Sequence, residues 1–256
     1  MSEWVLQGLR TGIKTTHYPD ARERAPGVSP GRPVGGSYPA DQAEALLARC
    51  PTGALRYQDG QVIIDYRRCV HCFRCARELK TPLTWEMDYE WAGANTPGLT
   101  GPFGRSVHIL VVDTGDCGAC LNEVKQLNNP YYNMHRLGFF ITPTPRQADI
   151  LLVVGALSAP MREPLLQAYQ AMPDPKRVVA VGACALSGSL FGPSFACGTG
   201  VSELLPVAVE VPGQPPPPLA ILHGLLVAVG RRPAVPLSSP NLPMPIPVIE
   251  EVHSRP

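Results

Sequence analysis

Val107-His108-Ile109-Leu110-Val111-Val112-Asp113-Thr114-Gly115-Asp116-Cys117-Gly118-Ala119-Cys120 is the stretch on which the fold turns. Its first six residues form an apolar run of the kind found in a strand buried on both faces. A polar, glycine-containing turn follows, with two cysteines at C-x-x-C spacing. Apolar segments recur downstream at Phe139 to Thr142, Ile150 to Val154, Val178 to Val181 and Val207 to Val211. Between them lie segments of helical period: Asn122 to Leu127, Met161 to Met172 and, last, Leu219 to Gly230. Strands alternating with helices predict a parallel sheet with helices on both faces. In such a sheet, sites form beyond the carboxyl ends of the strands. Cys117 and Cys120 follow the first strand and Cys184 follows the fourth, so three thiols are expected at one edge.

Upstream of this α/β region the pattern is different. Residues 1–40 contain Pro19, Pro26, Pro30, Pro33 and Pro39 with several glycines, and predict an extended arm lying on a partner, with a weakly amphipathic helical start from Trp4 and an extended Thr15 to Pro19. Asp41 to Arg49 reads as a short helix capped by Asp41. Leu55 to Tyr57 and Val62 to Asp65, joined by Asp59-Gly60, read as a β-hairpin with its preferred turn dipeptide. Cys69-Val70-His71-Cys72-Phe73-Arg74-Cys75 follows. The expected organisation is an arm at 1–40, a cysteine-bearing α+β module with its linker at 41–105, an α/β domain at 106–230, and a proline-rich tail at 231–256. In that tail only Ile246, Val248 and Ile249 are packing residues.

The chain has 256 residues, thirty of them proline, and a formal net charge of +1. That balance, with no basic stripe interleaved with aromatics, argues against nucleic-acid binding. No apolar run reaches the roughly 20 residues that span a bilayer, and Met1 to Gly12 has no signal-peptide core. The expected location is therefore cytoplasmic, peripheral on the inner face of the cell membrane through partners. There is no Walker motif, and Gly182, Gly188 and Gly192 lack the spacing of a dinucleotide fingerprint.

Eight cysteines are present: Cys50, Cys69, Cys72, Cys75, Cys117, Cys120, Cys184 and Cys197. With no export signal and repeated C-x-x-C spacing, metal or cluster ligation is expected rather than disulfides. Bacterial ferredoxins use C-x-x-C-x-x-C-x-x-x-C-P, in which the fourth cysteine serves the other cluster. Cys69, Cys72 and Cys75 form one such triad, but Leu79 stands where its distal cysteine would fall. Cys50-Pro51 is a distal cysteine without its own triad. The survivors belong to one cluster, so the module is expected to hold one [4Fe-4S] site on Cys50, Cys69, Cys72 and Cys75. A zinc site on the same four thiols is the alternative. His71 reads as an exposed loop histidine, or as a residue that tunes the site.

Pro130-Tyr131-Tyr132-Asn133-Met134, Pro145 to Val153, Met161-Arg162-Glu163, Val179 to Cys184 and Val211-Pro212-Gly213 resemble the complex I 20-kDa subunit family. That family also includes the small subunits of energy-converting [NiFe] hydrogenases and formate hydrogenlyases. The resemblance covers roughly residues 105 to 230. The N-terminal part is similar to the ferredoxin-type subunit of the same complexes, including Thr11 to Thr16 and Tyr18-Pro19.

The resemblance implies a flavodoxin-like fold and a second [4Fe-4S] cluster held against the catalytic face of a large subunit. It also implies further iron–sulfur and membrane-arm subunits, with the catalytic centre on the large subunit. C-x-x-C in place of adjacent cysteines favours the hydrogenase branch. One departure bears on the second cluster: where the family has Gly-Cys-Pro-Pro, this chain has Gly213-Gln214-Pro215-Pro216. Glutamine is a hard ligand for a soft cluster. Cys117, Cys120 and Cys184 are then expected to be joined by Cys197, the remaining thiol, while Gln214 donates a hydrogen bond to sulfur.

Glu123 reads as a proton-relay acid or as an acid satisfied by helix N-terminal amides. Tyr131, Tyr132, Met134 and His135 read as large-subunit contacts or as a structural loop. The function expected is electron relay in a formate hydrogenlyase-type complex. The alternatives are a subunit of a quinone-linked, complex-I-like oxidoreductase or a scaffold with a degenerate second cluster.

Overall fold

The computed structural model describes residues 2–77, 81–99 and 101–239. Leu79 and the tail from residue 240, with Ile246, Val248 and Ile249, lie outside the described residues.

In chain order the N-terminal half contains α1 (Glu3–Thr11), β1 (Arg32–Pro33), β2 (Gly36–Ser37), α2 (Ala40–Arg49), β3 (Leu55–Gln58), β4 (Gln61–Asp65), β5 (Trp85–Glu86) and β6 (Gly93–Ala94). The C-terminal half contains β7 (Val107–Asp113), α3 (Ala119–Gln126), β8 (Phe139–Ile141), β9 (Ile150–Val154), α4 (Arg162–Ala171), β10 (Arg177–Val181), α5 (Ala183–Ser187), β11 (Val207–Val211), α6 (Pro218–Ala228) and β12 (Ser238–Ser239).

The large sheet has the order β6-β11-β10-β9-β7-β8. Its last five strands are parallel. Counted from β7, they run 2-1-3-4-5, the flavodoxin-like order. Alternate residues explain the two layers. Ile109, Ile150, Leu152, Val154, Val179, Val181 and Val211 pack with α3 and α6 on one face. Leu110, Leu151, Val153, Val178 and Ala180 pack with α4 and α5 on the other. Both faces are covered, which is why the strands read as apolar runs with little alternation. The helix α6 is buried along its whole length, so it shows no polar stripe.

In the N-terminal module, β3 and β4 form the expected hairpin, with Leu55 opposite Ile64 and Gln58 opposite Gln61. Asp59 and Gly60 both have positive φ, at 51° and 78°, which the tight hairpin turn requires. The helix α2 begins at Ala40 behind Pro39 with no side-chain cap. Asp41 is thus an acid in the first turn, not the N-cap expected of it. A small core of Ala43, Leu46, Leu55, Val62, Ile64, Tyr66 and Leu83 closes against Cys50 and Cys75.

The helical start expected from Trp4 is present as α1, and Tyr18, from the proline-rich stretch that follows, is 0% exposed within the core of the large sheet. Tyr18 Oη donates to Glu90 Oε1 at 3.1 Å, and the ring meets Tyr89 edge-on. The boundary at residue 105 is also not a clean division, because Tyr89, Trp91 and Ala92 join the core of the large sheet and β6 pairs with β11. Within the tail, Ser238 and Ser239 pair with β4 of the module and Leu237 is buried. In each case apolar residues too sparse to form a core alone find one on the neighbouring layer.

Candidate functional site

The structure gathers the cysteines at two places. The first is a cavity lined by Cys50, Cys69, Cys72 and Cys75, with Pro33, Ala54, Leu55, Val70, Phe73 and Trp85 supplying apolar walls. Cys50 ends α2, where its own N–H bonds Leu47 O at 3.1 Å. The amide of Ala54 donates to Cys50 Sγ at 3.2 Å. Arg68 Nε donates to Thr52 O at 2.9 Å, tying the strand that leads to Cys69 to the turn that carries Cys50. Between the triad cysteines, His71 and Phe73 have φ of 50° and 60°. These left-handed residues reverse the chain twice within seven residues, which curls the three thiols around one space.

Burial pushes the Cys69 thiol up to about 12, with the neighbouring cysteines adding to the rise and an amide hydrogen bond from His71 opposing it. Burial also raises Cys75, with Cys72 adding to it and the indole of Trp85 opposing. Thiols raised in this way bind metal by releasing protons.

His71 is not the exposed histidine expected. It is half-buried, edge-on to Trp85 at 5.9 Å and to Trp91 at 5.5 Å. Its Nδ1 is sealed from solvent without a hydrogen-bond partner, and burial lowers its pKa to about 4.

The second place is the carboxyl edge of the large sheet. Each polar residue of Asp113-Thr114-Gly115-Asp116 has a task. Asp113 Oδ1 accepts from the amides of Gly115 and Asp116 at 2.8 and 2.7 Å. Thr114 is buried and donates toward Val154 O and Gly155 O. Asp116 Oδ2 accepts from Gly118 N and Leu121 N at 2.9 and 3.0 Å, capping the start of α3. The loop crosses the end of β9 at Gly155, where a Cβ would stand 2.3 Å from Asp116 N. The close crossing carries Cys117 and Cys120 over β9 towards Cys184 at the start of α5.

Gly182 precedes that helix at φ +92°, and a Cβ there would lie 2.5 Å from Cys120 Sγ. The amides of Gly182 and Ala183 bond Val211 O and Gly213 O, both at 2.8 Å, aligning this turn with the one after β11. That second turn delivers Gln214. Its Oε1 is 3.7 Å from Cys120 Sγ and its Nε2 4.0 Å from Cys117 Sγ. Burial raises the pKa of Cys120, with Asp116, Cys184 and Cys117 adding to it. Burial also raises Cys184, while hydrogen bonds from Ser189 and Gln214 pull the other way.

Cys197 is placed elsewhere. Its amide donates to Ser194 Oγ at 3.1 Å, its carbonyl accepts from Ser194 N at 2.9 Å, and its backbone pairs with Ser158. It lines a depression with Leu157, Ala159, Arg162, Ser194 and Phe195. A tight turn and a bridge to Ser158 thus hold the backbone of Cys197, and its side chain lines this depression. Gln214, expected near the site as a hydrogen-bond donor to sulfur, stands beside Cys120 and Cys117.

Glu123 is half-buried in α3, beyond the first turn, and burial raises its pKa. Asp116 accepts the helix amides that Glu123 was expected to take. Met134 is wholly buried and belongs to the core.

The two places are joined. Trp91 Nε1 donates to Pro212 O at 2.9 Å, Ser187 Oγ donates to Arg67 O at 3.0 Å, and Arg67 Nε meets Glu210 Oε2 at 2.5 Å. Sequence reasoning missed Trp91, Asp116 and Gly182. Only Gly182 left a signal, a glycine at a strand end two residues before a cysteine.

Among the described residues, no group of three or more His, Cys, Asp or Glu closes on a single metal-ion position. The fit to an iron–sulfur group is judged by donors. Four soft thiols with an amide aimed at sulfur, within an apolar wall, suit the first place. Three thiols and one carboxamide suit the second in three of four positions.

Comparison with known proteins bears on the same segment. A family model described as NADH ubiquinone oxidoreductase, 20 Kd subunit, matches residues 117–228. The chain is 40% identical over 126 residues to formate hydrogenlyase subunit 7 of Escherichia coli (strain K12), covering 49% of each chain. It is 40% identical over 128 residues to the "probable membrane-bound hydrogenase subunit mbhJ" of Pyrococcus furiosus, covering 50% of this chain and 77% of that one. It is 42% identical over 127 residues to an NADH-quinone oxidoreductase subunit of Bacteroides thetaiotaomicron, covering 48% and 63%. The chain thus spans about half of the first of these relatives.

Proposed function

We propose, because the chain belongs to the NADH ubiquinone oxidoreductase 20 Kd subunit family, that it is an iron–sulfur electron-transfer subunit of a multi-subunit oxidoreductase. The complex we infer is a membrane-associated [NiFe] hydrogenase of formate hydrogenlyase type, with the catalytic centre on a separate large subunit. The observation that carries this reading is the pairing of two cysteine sites across bonded elements, Trp91 to Pro212 and Ser187 to Arg67. A chain that only scaffolds a complex has no need to hold two thiol sites in fixed relation.

Cys50, Cys69, Cys72 and Cys75 would hold one four-iron cluster, within a module of ferredoxin type. Cys117, Cys120 and Cys184 would hold a second. Bound there, such clusters accept and release one electron at a time. The protein's own part is to fix the sites and shield them. Ala54, Leu55, Val70 and Trp85 wall the first with apolar surface, and the Ala54 amide bonds the Cys50 sulfur, both of which would set the potential.

No helix among the described residues is long and apolar enough to cross a membrane. We place the chain at the inner face of the cell membrane through its partners. Those partners are the large subunit, other iron–sulfur subunits and a membrane arm. A complex-I-like quinone oxidoreductase is the second reading, favoured by the likeness to the NADH-quinone oxidoreductase of Bacteroides thetaiotaomicron.

Anaerobic purification of the intact complex, followed by iron, sulfide, nickel and zinc analysis, tests the proposal. Roughly eight irons and eight sulfides on this chain are expected, with nickel on the large subunit. Zinc in place of iron refutes electron transfer. Iron without nickel selects the quinone-linked reading.

A further inference from the structure

We propose that the second cluster is held by only three thiolates, Cys117, Cys120 and Cys184, and that its fourth iron faces the side-chain amide of Gln214 and is exchangeable. This rests on the reading that the second site holds a four-iron cluster.

Gln214 is held in place. Gly213, at φ +134°, folds back so tightly that a Cβ there would meet Pro216 Cα at 2.7 Å. The amide of Ala183 bonds Gly213 O at 2.8 Å, pinning this turn to the helix that carries Cys184. The carboxamide is thereby delivered among the three thiols, with its Oε1 3.7 Å from Cys120 Sγ and its Nε2 4.0 Å from Cys117 Sγ.

The hydrogen bonds fix what each end of the amide can do. In the thiol form Cys120 donates its S–H to Oε1, and Nε2 donates to Cys117. Ligation removes the proton from Cys120. Nε2 can still donate to a thiolate, but Oε1 has lost its donor and is left facing the open corner. A neutral carboxamide oxygen is a hard ligand and binds a soft cluster weakly. Cys197 does not fill the corner, because its backbone is tied to Ser158 and Ser194 and its side chain lines a depression beside Arg162.

The consequence is a reversible change of nuclearity. With a one-electron oxidant, [4Fe-4S]2+ gives [3Fe-4S]1+, Fe2+ and one electron taken by the oxidant. Three iron–sulfide bonds and the weak bond to Gln214 break, while the three thiolates stay. With ferrous ion and a one-electron reductant the same bonds reform.

The test uses the anaerobically purified complex, treated with ferricyanide and then with ferrous ion and dithionite, and followed by electron paramagnetic resonance with iron counts. In the wild type we expect the three-iron signal to appear on oxidation, one iron to be lost, and both changes to reverse. Gln214→Cys should suppress the conversion at least tenfold, and Gln214→Ala should accelerate it. Cys197→Ser should behave as wild type. Loss of the second-cluster signal in Cys197→Ser overturns the proposal in favour of Cys197 as fourth ligand. Equal conversion in wild type and Gln214→Cys overturns the role of Gln214. An iron count in both about four short of that expected with two clusters on this chain, with the first-cluster signal intact, refutes a second cluster altogether. That outcome is distinct from eight irons without conversion.

Discussion

The indole N–H of Trp91 donates to the carbonyl oxygen of Pro212 across 2.9 Å. Trp91 comes from the segment linking the module to the large sheet. Pro212 opens the turn that presents Gln214. One face of the same indole meets His71, between two cysteines of the first site. A single buried side chain therefore touches the supports of both sites.

Trp91→Phe keeps a ring against His71 and removes only the N–H. The Pro212 carbonyl is left without its donor, at a cost of about 1–3 kcal/mol. We expect a small loss in thermal stability, with the second-cluster resonance shifted and the first unchanged. Trp91→Ala should cost about 3–5 kcal/mol by opening the core. Chemical denaturation and paramagnetic resonance on the same samples check both.

Gly182→Ala places a methyl group 2.5 Å from Cys120 Sγ on a backbone at φ +92°. The strain is about 1–3 kcal/mol, and the displaced thiol would no longer serve the proposed second cluster. Iron should fall from roughly eight to four per chain, with the first-cluster signal intact. Full retention of iron would show that the thiol moves aside without consequence.

Arg67 and Glu210 meet across the two layers at 2.5 Å, with side chains 20% and 10% exposed. Glu210 also accepts from Asn95 Nδ2 at 3.0 Å. Glu210→Ala leaves the guanidinium half-stranded and should cost about 2 kcal/mol once the remaining exposure of Arg67 is allowed for. The double variant Arg67→Met with Glu210→Leu should recover most of that loss. Urea titration of the two variants measures the difference. Because Arg67 lies two residues before Cys69, the single variant should also lose first-cluster iron faster.

His223 accepts from the amide of Ala92 through Nδ1 at 3.1 Å, and its Nε2 donates to Pro233 O at 3.2 Å. Only the neutral ring can do both. Burial lowers its pKa below the ordinary 6.5, against the pull of Glu90 and Asp88, with Arg232 acting in the same direction as burial. The sign follows from proton binding: below 6.5 the unfolded chain takes up a proton that the folded one refuses. The contribution is fully present above pH 6.5 and is lost as pH falls towards the folded value. Melting temperature should drop between pH 7.5 and 5.5. His223→Leu should be less stable at both values, by about 2 kcal/mol for the two lost bonds, with a smaller pH difference.

The sequence by itself determined what depends on local pattern and chemical type. Apolar runs of strand length, such as Ile150 to Val154, give the parallel sheet. Asp59-Gly60 gives the hairpin turn. The spacing of Cys69, Cys72 and Cys75, with Cys50-Pro51 upstream, marks the first site, since two-residue gaps act within one loop. Tertiary structure alone decided what depends on distant segments meeting. Tyr18 reads as part of a proline-rich arm, yet it is buried because the large sheet leaves an apolar place for it. Ser238 and Ser239 pair with β4 because the segment after α6 is bonded to Ala92 through Val235 and to Tyr66 through Leu237. Gln214 and Cys197 could not be told apart as the fourth neighbour of three thiols by counting residues. The turn after β11 is pinned to α5 by backbone hydrogen bonds, whereas the turn at Ser194 is pinned to Ser158. Such bonds join segments tens of residues apart, and no local periodicity records them.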